Sequence, residues 1–510
     1  MQTRRSVLKA ALAGVSAGAL RAQPVQDTVD LGREHQVIDN FAASDAWSMQ
    51  KLGTWSIENR NKVADLLFSR EHGIGLSCWR FNIGGGINSQ ISNPWRTAET
   101  FEVAERRYDW ARQAGERWFL QAAKARGVPQ FLAFVNSPPG RMTRNGLTFC
   151  NKNDDTTNLK PGYEGQYARY LVDILEHFRA NPDLSQRIGF DYISPVNEPQ
   201  WDWSRHNQEG NRAGNEDIKR ILRSLHTELA QQNSPTQIAA LESGSLPDMW
   251  QLNAKATSTW KAPYGNYIDT FLGDATLKSI MANRISYHDY GSDRVAGELV
   301  ENRTKLGEKM RQYPGCKLWM SEYCILTGSE GRGGAGRDLT MNTALDVARI
   351  IHLDLTVTGV SAWQWWTAVS GVNFKDGLIY TDWKKAGDPE TIYPARLLWA
   401  LGNYSRFVRP GMRRVEMKVQ NQAIDSIMGS AYKDVAKRRV IIVYVNMSTT
   451  QQSRRIVFQP DQQQWTLQSI TPYVTSDTPG YELKKLDEVS PGAQVDIPAR
   501  SVVTLVAQFG

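Results

Sequence analysis

A repeated change of period limits what this chain can become. Between Phe41 and Trp365, short apolar runs rich in β-branched and aromatic residues lead into polar loops and then into helical periodicity. The strand candidates are Phe41 to Ala46, Gly75 to Ile83, Gln130 to Asn136 and Phe190 to Asn197. Gln237 to Glu242, Arg284 to His288, Lys317 to Tyr323 and Val360 to Trp365 complete the set. Helical stretches lie between them, among them Ser56 to Ser69, Arg107 to Ala125, Tyr167 to Arg179 and Asp338 to Leu355. Eight strands, each followed by a helix, predict a (β/α)8 TIM barrel.

Past about Pro410 the pattern changes to strand-like runs separated by turn residues: Arg439 to Val445, Arg454 to Phe458, Thr466 to Thr471 and Ser501 to Phe509. These predict a side β-sandwich. Upstream of the barrel, Thr28 to Leu31 and His35 to Ile38 read as two short strands around a turn at Gly32, without βα partners of their own. The expected division is residues 1–22 as a leader, 23–38 as N-terminal strands pairing with the side domain, 39–405 as the barrel and 406–510 as the sandwich.

Composition removes several classes. With 41% hydrophobic and 22% charged residues, the chain is neither disordered nor a polytopic membrane protein. Its 4 cysteines show no CxxC spacing, and its 7 histidines include no HxH or HExxH. Neither a disulfide framework nor a metal site is expected. The +7 charge is scattered and forms no nucleic-acid arm. The 17 tryptophans are unusual; indole faces suit sugar rings as well as cores. At the N-terminus, Thr3-Arg4-Arg5-Ser6-Val7-Leu8-Lys9 is a twin-arginine pattern, followed by an apolar stretch from Ala10 to Leu20 that is too short to span a bilayer. Ala17-Gly18-Ala19 offers a cleavage site, with Ala22 as a second. The mature protein is expected to be periplasmic or secreted.

Catalytic groups of such barrels sit at the C-terminal ends of strands. The fourth candidate ends Val196-Asn197-Glu198-Pro199 and the seventh ends Met320-Ser321-Glu322-Tyr323. Alone, a glutamate after a strand also suits a helix dipole. Two of them facing across one barrel mouth are what glycoside hydrolysis requires, one to protonate the departing oxygen and one to attack the anomeric carbon. Asn197 could hydrogen-bond the sugar 2-hydroxyl. Two glycine-rich stretches are decoys. Gly331 to Gly336 fits GxGxxG but begins eight residues past the strand end at Tyr323, too late for a dinucleotide turn, and reads as a loop on the nucleophile side. Gly84-Gly85-Gly86 has no Lys-Ser/Thr and is no phosphate loop.

The chain resembles glycoside hydrolase family 30, in particular its endo-β-1,6-galactanase-like members. The resemblance is carried by Phe41 to Trp47, Cys78 to Gly86, Ala133 to Pro139, Asn197 to Trp201, Ser321 to Tyr323 and Ser361 to Trp366. It departs where Asn40 and Ala42 stand in place of the family's glycines. It implies retention of configuration, with Glu198 as acid/base and Glu322 as nucleophile. Tyr290 matches the family's His-x-Tyr as donor to Glu322, and His288 is placed near the site. Trp365 is expected as the floor under the reacting sugar, with Trp363 and Trp366 in the core. Asp45, Trp47 and Asn136 are expected to hold sugar, as are Trp201 and Trp203 on the leaving side. Arg80 serves either a sugar hydroxyl or as a brace for one of the glutamates.

The expected activity is therefore a retaining endo-β-1,6-galactanase acting on galactan or arabinogalactan side chains by double displacement. It would be a monomer with a polysaccharide or oligosaccharide partner and no cofactor, nucleic acid or membrane partner. The alternatives are an exo-acting β-glycosidase, another activity of the family such as β-1,6-glucanase or xylanase, and, more distantly, a non-catalytic carbohydrate-binding protein.

Overall fold

The computed structural model describes residues 25–93, 95–152, 154–253, 262–293, 296–326, 333–461 and 465–510. The twin-arginine leader lies outside these residues, as do Gly331 and Arg332 of the glycine-rich loop.

Eight parallel strands form one sheet: Asn40–Ser44, Cys78–Asn82, Gln130–Phe134, Tyr192–Ser194, Gln237–Ile238, Arg284–His288, Lys317–Glu322 and Ala362–Trp365. They are strands one to eight below. The eighth lies beside the first, with Ala362 opposite Asn40. Strands five and six stand at the two ends of this order and meet just past the end of strand five, where Ser243 bridges Tyr287 in parallel, the Ser286 N–H donates to the Ala240 carbonyl (2.8 Å) and the His288 N–H to that of Ser243 (2.6 Å). The sheet is thus a closed TIM-like barrel. Cys78–Asn82 and Arg284–His288 are buried at every residue, because helices cover the outer face and side chains fill the interior. Asn40 uses that interior: its amide donates to Gln130 Oε1 (3.0 Å) and accepts from Gln364 Nε2 (2.9 Å).

The covering helices follow the apolar spacing. Helix Glu164–Arg179 buries Tyr167, Tyr170, Leu171, Ile174, Leu175 and Phe178, a single stripe at steps of three and four. Helix Ile57–Phe68 starts at Ser56, whose hydroxyl accepts from the Asn59 N–H (3.4 Å). Helix boundaries shift by up to three residues elsewhere, and by more at one. Arg107 and Tyr108 pair with Glu102–Ala104 in a small hairpin, and Gln113 takes φ +50°, so the helix runs only over Ala114–Ala125.

The side domain is one nine-stranded mixed sheet. Its order is Lys484–Lys485, Leu467–Ser476, Ser501–Phe509, Arg439–Asn446, Ile427–Asp434, Arg413–Lys418, Val25–Val37, Gln452–Gln459 and Gln494–Ile497. Val29, Ile442, Ile470, Ile497 and Leu505 share one core, and the rings of Phe458 and Phe509 come within 5.1 Å although their strands are far apart in the sheet. The sheet therefore curls on itself into a sandwich. The N-terminal segment is one strand, not two. At Gly32 the chain bulges instead of turning: the Gly32 N–H bonds Asp30 Oδ1 (3.0 Å), and the register slips between Asp30 and Glu34. This strand is antiparallel to Arg413–Lys418 and parallel to Gln452–Gln459.

The outer face of the sandwich carries Tyr432, Ile441, Val443 and Val502, which join the barrel's core, and Thr504 donates to the Asn403 carbonyl (2.6 Å) on helix Arg396–Ser405. Among the described residues, no helix is long and apolar enough to cross a membrane.

Candidate active site

Glu322 closes strand seven, and Glu198 follows strand four by four residues. One carboxylate oxygen of each, with a ring nitrogen of His288 from the end of strand six, lie within 4.8 Å of one another. Both glutamates line a cleft of about 630 Å³ at this end of the barrel, together with Asn136, Asn197, Trp201, Trp203, Tyr290 and Trp366.

A third carboxylate holds the pair in place. Glu242 follows strand five, and its carbonyl accepts the Glu198 N–H (2.9 Å). Glu198 and Glu242 both take positive φ (+42° and +58°), a conformation that costs side-chain residues energy and collects at functional loops. Glu242 Oε2 accepts from Arg80 Nη2 (3.1 Å), His288 Nε2 (2.7 Å) and Ser321 Oγ (2.9 Å). Arg80 Nη1 donates to Glu322 Oε2 (3.1 Å), and His288 Nδ1 lies 3.0 Å from Glu198 Oε1. The Tyr290 hydroxyl donates to Glu322 Oε1 (2.9 Å). Tyr290 is fixed through its neighbour Asp289, which pairs with the buried Arg303. Gly244 keeps this cluster compact, since a Cβ there would lie 2.7 Å from Glu198 Oε1 and 2.5 Å from Trp201 Nε1.

The electrostatics differ from one carboxylate to the next. Burial pushes Glu198 up; the His288 hydrogen bond and charge oppose this, and the Glu322 charge adds to it. Burial would also raise Glu242, but Arg80 and His288 outweigh it and hold Glu242 below the usual carboxylate range. Burial pulls the His288 imidazole down, yet the carboxylates around it, Glu322 first, raise it to about 10. The buried set therefore places two basic groups, Arg80 and His288, among three carboxyl groups, Glu198, Glu242 and Glu322. Charge balance is complete when Glu198 keeps its proton.

Several expected sugar contacts stand elsewhere. Arg80 is fully buried, with two of its guanidinium nitrogens on carboxylates and its plane over Phe134 (4.3 Å), so of the two roles open to it the brace is the one observed. His288 is likewise buried, a link between carboxylates and not a sugar contact. Asp45 turns back into the sheet, accepting the Asn82 N–H (2.8 Å), and burial raises its pKa well above the usual range. Trp47 packs edge-on against Trp366 (5.2 Å), behind the cleft wall. Trp365 is core: its indole donates to the Asp376 carbonyl (2.8 Å) and its ring stacks on Trp363. At this strand end the tryptophan that lines the cleft is Trp366, one residue on, because successive side chains leave a strand on opposite faces. Asn136, Asn197, Trp201, Trp203 and Tyr290 do line the cleft. Asn136 Nδ2 and Asn197 Oδ1 are buried there without a protein partner.

Sequence reasoning missed Glu242, although the same criterion of a carboxylate at a strand's C-terminal end applies to it. It also missed Asp376 and Phe374, which reach the cleft from the loop after strand eight. The described part of the glycine-rich loop lies beside them, with the Gly336 N–H on the Asn373 carbonyl (3.0 Å).

Known proteins share this arrangement of elements. The profile of O-glycosyl hydrolase family 30 matches residues 24–380. The chain belongs to this family. Family 30 enzymes are glycoside hydrolases, and the match runs from the N-terminal sandwich strand through all eight barrel strands. Among family relatives, an endo-β-1,6-galactanase of Hypocrea rufa is 24% identical over 453 residues, covering 83% of this chain and 81% of that protein. Among solved structures, a conserved exported protein from Bacteroides fragilis superposes with a TM-score of 0.83 at 32% identity, covering 94% of this chain and 100% of the other. The family 30 xylanase C of Talaromyces cellulolyticus superposes at 0.69 with 20% identity, covering 95% and 100%.

Proposed function

We propose that this protein is a retaining endo-β-1,6-galactanase. The observation that carries the reaction class is the approach of Glu198 and Glu322 oxygens to within 4.8 Å, with Glu198 in surroundings that raise its pKa and Glu322 accepting hydrogen bonds from Arg80 and Tyr290. Retaining glycosidases hold their two carboxyl groups about 5–5.5 Å apart, whereas inverting enzymes leave room for a water between them. Glu322, held by Arg80 and Tyr290, is the nucleophile. It forms a bond from its carboxylate oxygen to the anomeric carbon as the glycosidic C–O bond breaks. Glu198 gives its proton to the departing oxygen.

The resulting ester carries no charge on Glu322, so one influence that holds the Glu198 pKa up is gone. Glu198, now ionised, takes a proton from water as the water oxygen attacks the anomeric carbon. Glu322 leaves as carboxylate and Glu198 is protonated again. His288 and Arg80 stay charged throughout and hold the carboxylates in position.

The sugar and linkage rest on the likeness to the Hypocrea rufa enzyme, covering 83% of this chain. Endo action is supported by aromatic walls on both sides of the acid pair, Trp201 and Trp203 towards strand four and Trp366 and Phe374 towards strand eight. Export by the twin-arginine leader is part of the proposal, supported by the likeness to an exported protein; the mature enzyme works as a monomer. Products released from β-1,6-galactan, β-1,3-galactan, β-1,6-glucan and glucuronoxylan test the reading. A ladder of oligomers from β-1,6-galactan alone supports it. Release of a single sugar from the outset, or preference for glucan or xylan, refutes the endo-galactanase assignment.

A further inference from the structure

We infer that Asp376 holds a hydroxyl of the sugar bound against Glu322 and thereby selects which glycosyl units the cleft accepts. The inference rests on the glycosidase reading above and goes beyond it, since Asp376 has no part in the acid pair or in the network that braces it.

Asp376 sits on the loop after strand eight and lines the same cleft as Glu198 and Glu322. Its backbone is pinned on the barrel side: its carbonyl accepts the Thr367 N–H (2.5 Å) and the Trp365 indole N–H (2.8 Å). The residue is only 6% exposed, yet its Oδ1 has no hydrogen-bond partner. A carboxylate oxygen taken from water without a donor costs free energy, and folded proteins rarely leave one so. The direction of the cost is visible: burial raises Asp376 to about 6, against the pull of the Ser370 hydroxyl and the Arg96 charge.

The position favours a sugar as the missing donor. Asp376 is bonded to Thr367 at the end of strand eight, where the neighbouring Trp366 N–H donates to the carbonyl of Tyr323 (3.0 Å), the residue after Glu322; this places Asp376 on the nucleophile's side of the cleft. Trp366 and Phe374 supply apolar wall beside it. A ring with its anomeric carbon at Glu322 therefore presents hydroxyls to Asp376. Asn136 Nδ2 and Asn197 Oδ1, also unpartnered in this cleft, offer one donor and one acceptor for others. A site built to hydrogen-bond a substrate hydroxyl rejects analogues that lack it, because its buried polar group is then left bare.

The test uses the full-length enzyme with aryl β-glycosides of galactose, glucose and xylose. The parent that is cleaved fastest is then compared with its monodeoxy analogues, for wild type, Asp376→Asn and Asp376→Ala. Wild type is expected to lose about 100-fold or more in kcat/KM when one particular hydroxyl is removed. Asp376→Ala is expected to fall about 10- to 100-fold on the parent and then to lose less than about threefold from that same deletion. The near-isosteric Asp376→Asn keeps the packing and should fall between them, and matched melting temperatures separate a binding loss from misfolding. Deoxy penalties that are the same in variants and wild type overturn the inference alone. A wild type that cleaves neither a glycoside of the panel nor any of the four polysaccharides above overturns the hydrolase reading together with it.

Discussion

Replacing Glu242 with glutamine probes the charge balance on which the proposed chemistry depends. The substitution keeps the shape and removes one of two anions from a buried set of four charges, Arg80, His288, Glu242 and Glu322. Glu242 reaches Glu198 through the imidazole, with contacts of 2.7 Å and 3.0 Å on its two sides. Across roughly 8 Å at an effective dielectric constant of about 20, one charge is worth about 2 kcal/mol, or about 1.5 pKa units as an upper value. His288, raised to about 10, stays protonated at the working pH even after losing one partner. Removing the anion therefore lowers the Glu198 pKa. The alkaline limb of the kcat/KM profile, which reports loss of the Glu198 proton, should move down by about one unit.

The transition state gains positive character while a nearby anion is missing, so the plateau should also fall about 10- to 100-fold. Stability should drop by about 3 kcal/mol in urea unfolding, as expected for a broken buried pair. The assay is the pH profile on an aryl glycoside, with Glu242→Asp as the conservative control. A limb that stays within about 0.2 units, with a plateau within about threefold, would refute the charge-balance reasoning.

Tyr290→Phe removes the hydroxyl donor to Glu322 and should lower kcat about 10- to 100-fold with little change in KM; an unchanged kcat contradicts that role. The two neighbouring tryptophans should separate. Trp365→Ala should cost about 3–5 kcal/mol of stability in denaturant unfolding, and Trp366→Ala should raise KM on long substrates while leaving the fold nearly as stable. The reverse pattern would mean the cleft wall has been misassigned. The His288 pKa of about 10 lies above its usual value, so its contribution to stability is fully present below about pH 6.5 and is lost as pH rises through about 10. His288→Gln should flatten that alkaline decline in urea midpoints; a decline identical to wild type's would contradict the assignment.

The barrel was legible in the sequence because strands buried on both faces need short runs rich in apolar residues, and eight such runs alternate with helical periodicity even though Arg80, Ser286 and Gln364 interrupt some of them. The N-terminal strand was harder. Gly32 suggests a turn locally, and only pairing with segments some 400 residues away makes it a bulge. Of the site, Glu198 and Glu322 stood out by motif. Arg80 and His288 were legible as neighbours of the site, but their partners are fixed by barrel closure, which brings Glu242 to both. Trp365 and Trp366 could not be separated, since the face each takes depends on the residue at which the strand ends. Asp376 reaches the cleft only because its loop folds back to bond Thr367, a contact that leaves no local pattern.

The acid pair itself can be put to the test most directly by trapping. Incubation with a 2-deoxy-2-fluoro β-galactosyl fluoride, followed by peptide mass spectrometry, should show one sugar attached through an ester to Glu322, with Glu198 unmodified. No adduct in an enzyme that turns over substrate, or an adduct on another side chain, would contradict double displacement through this pair.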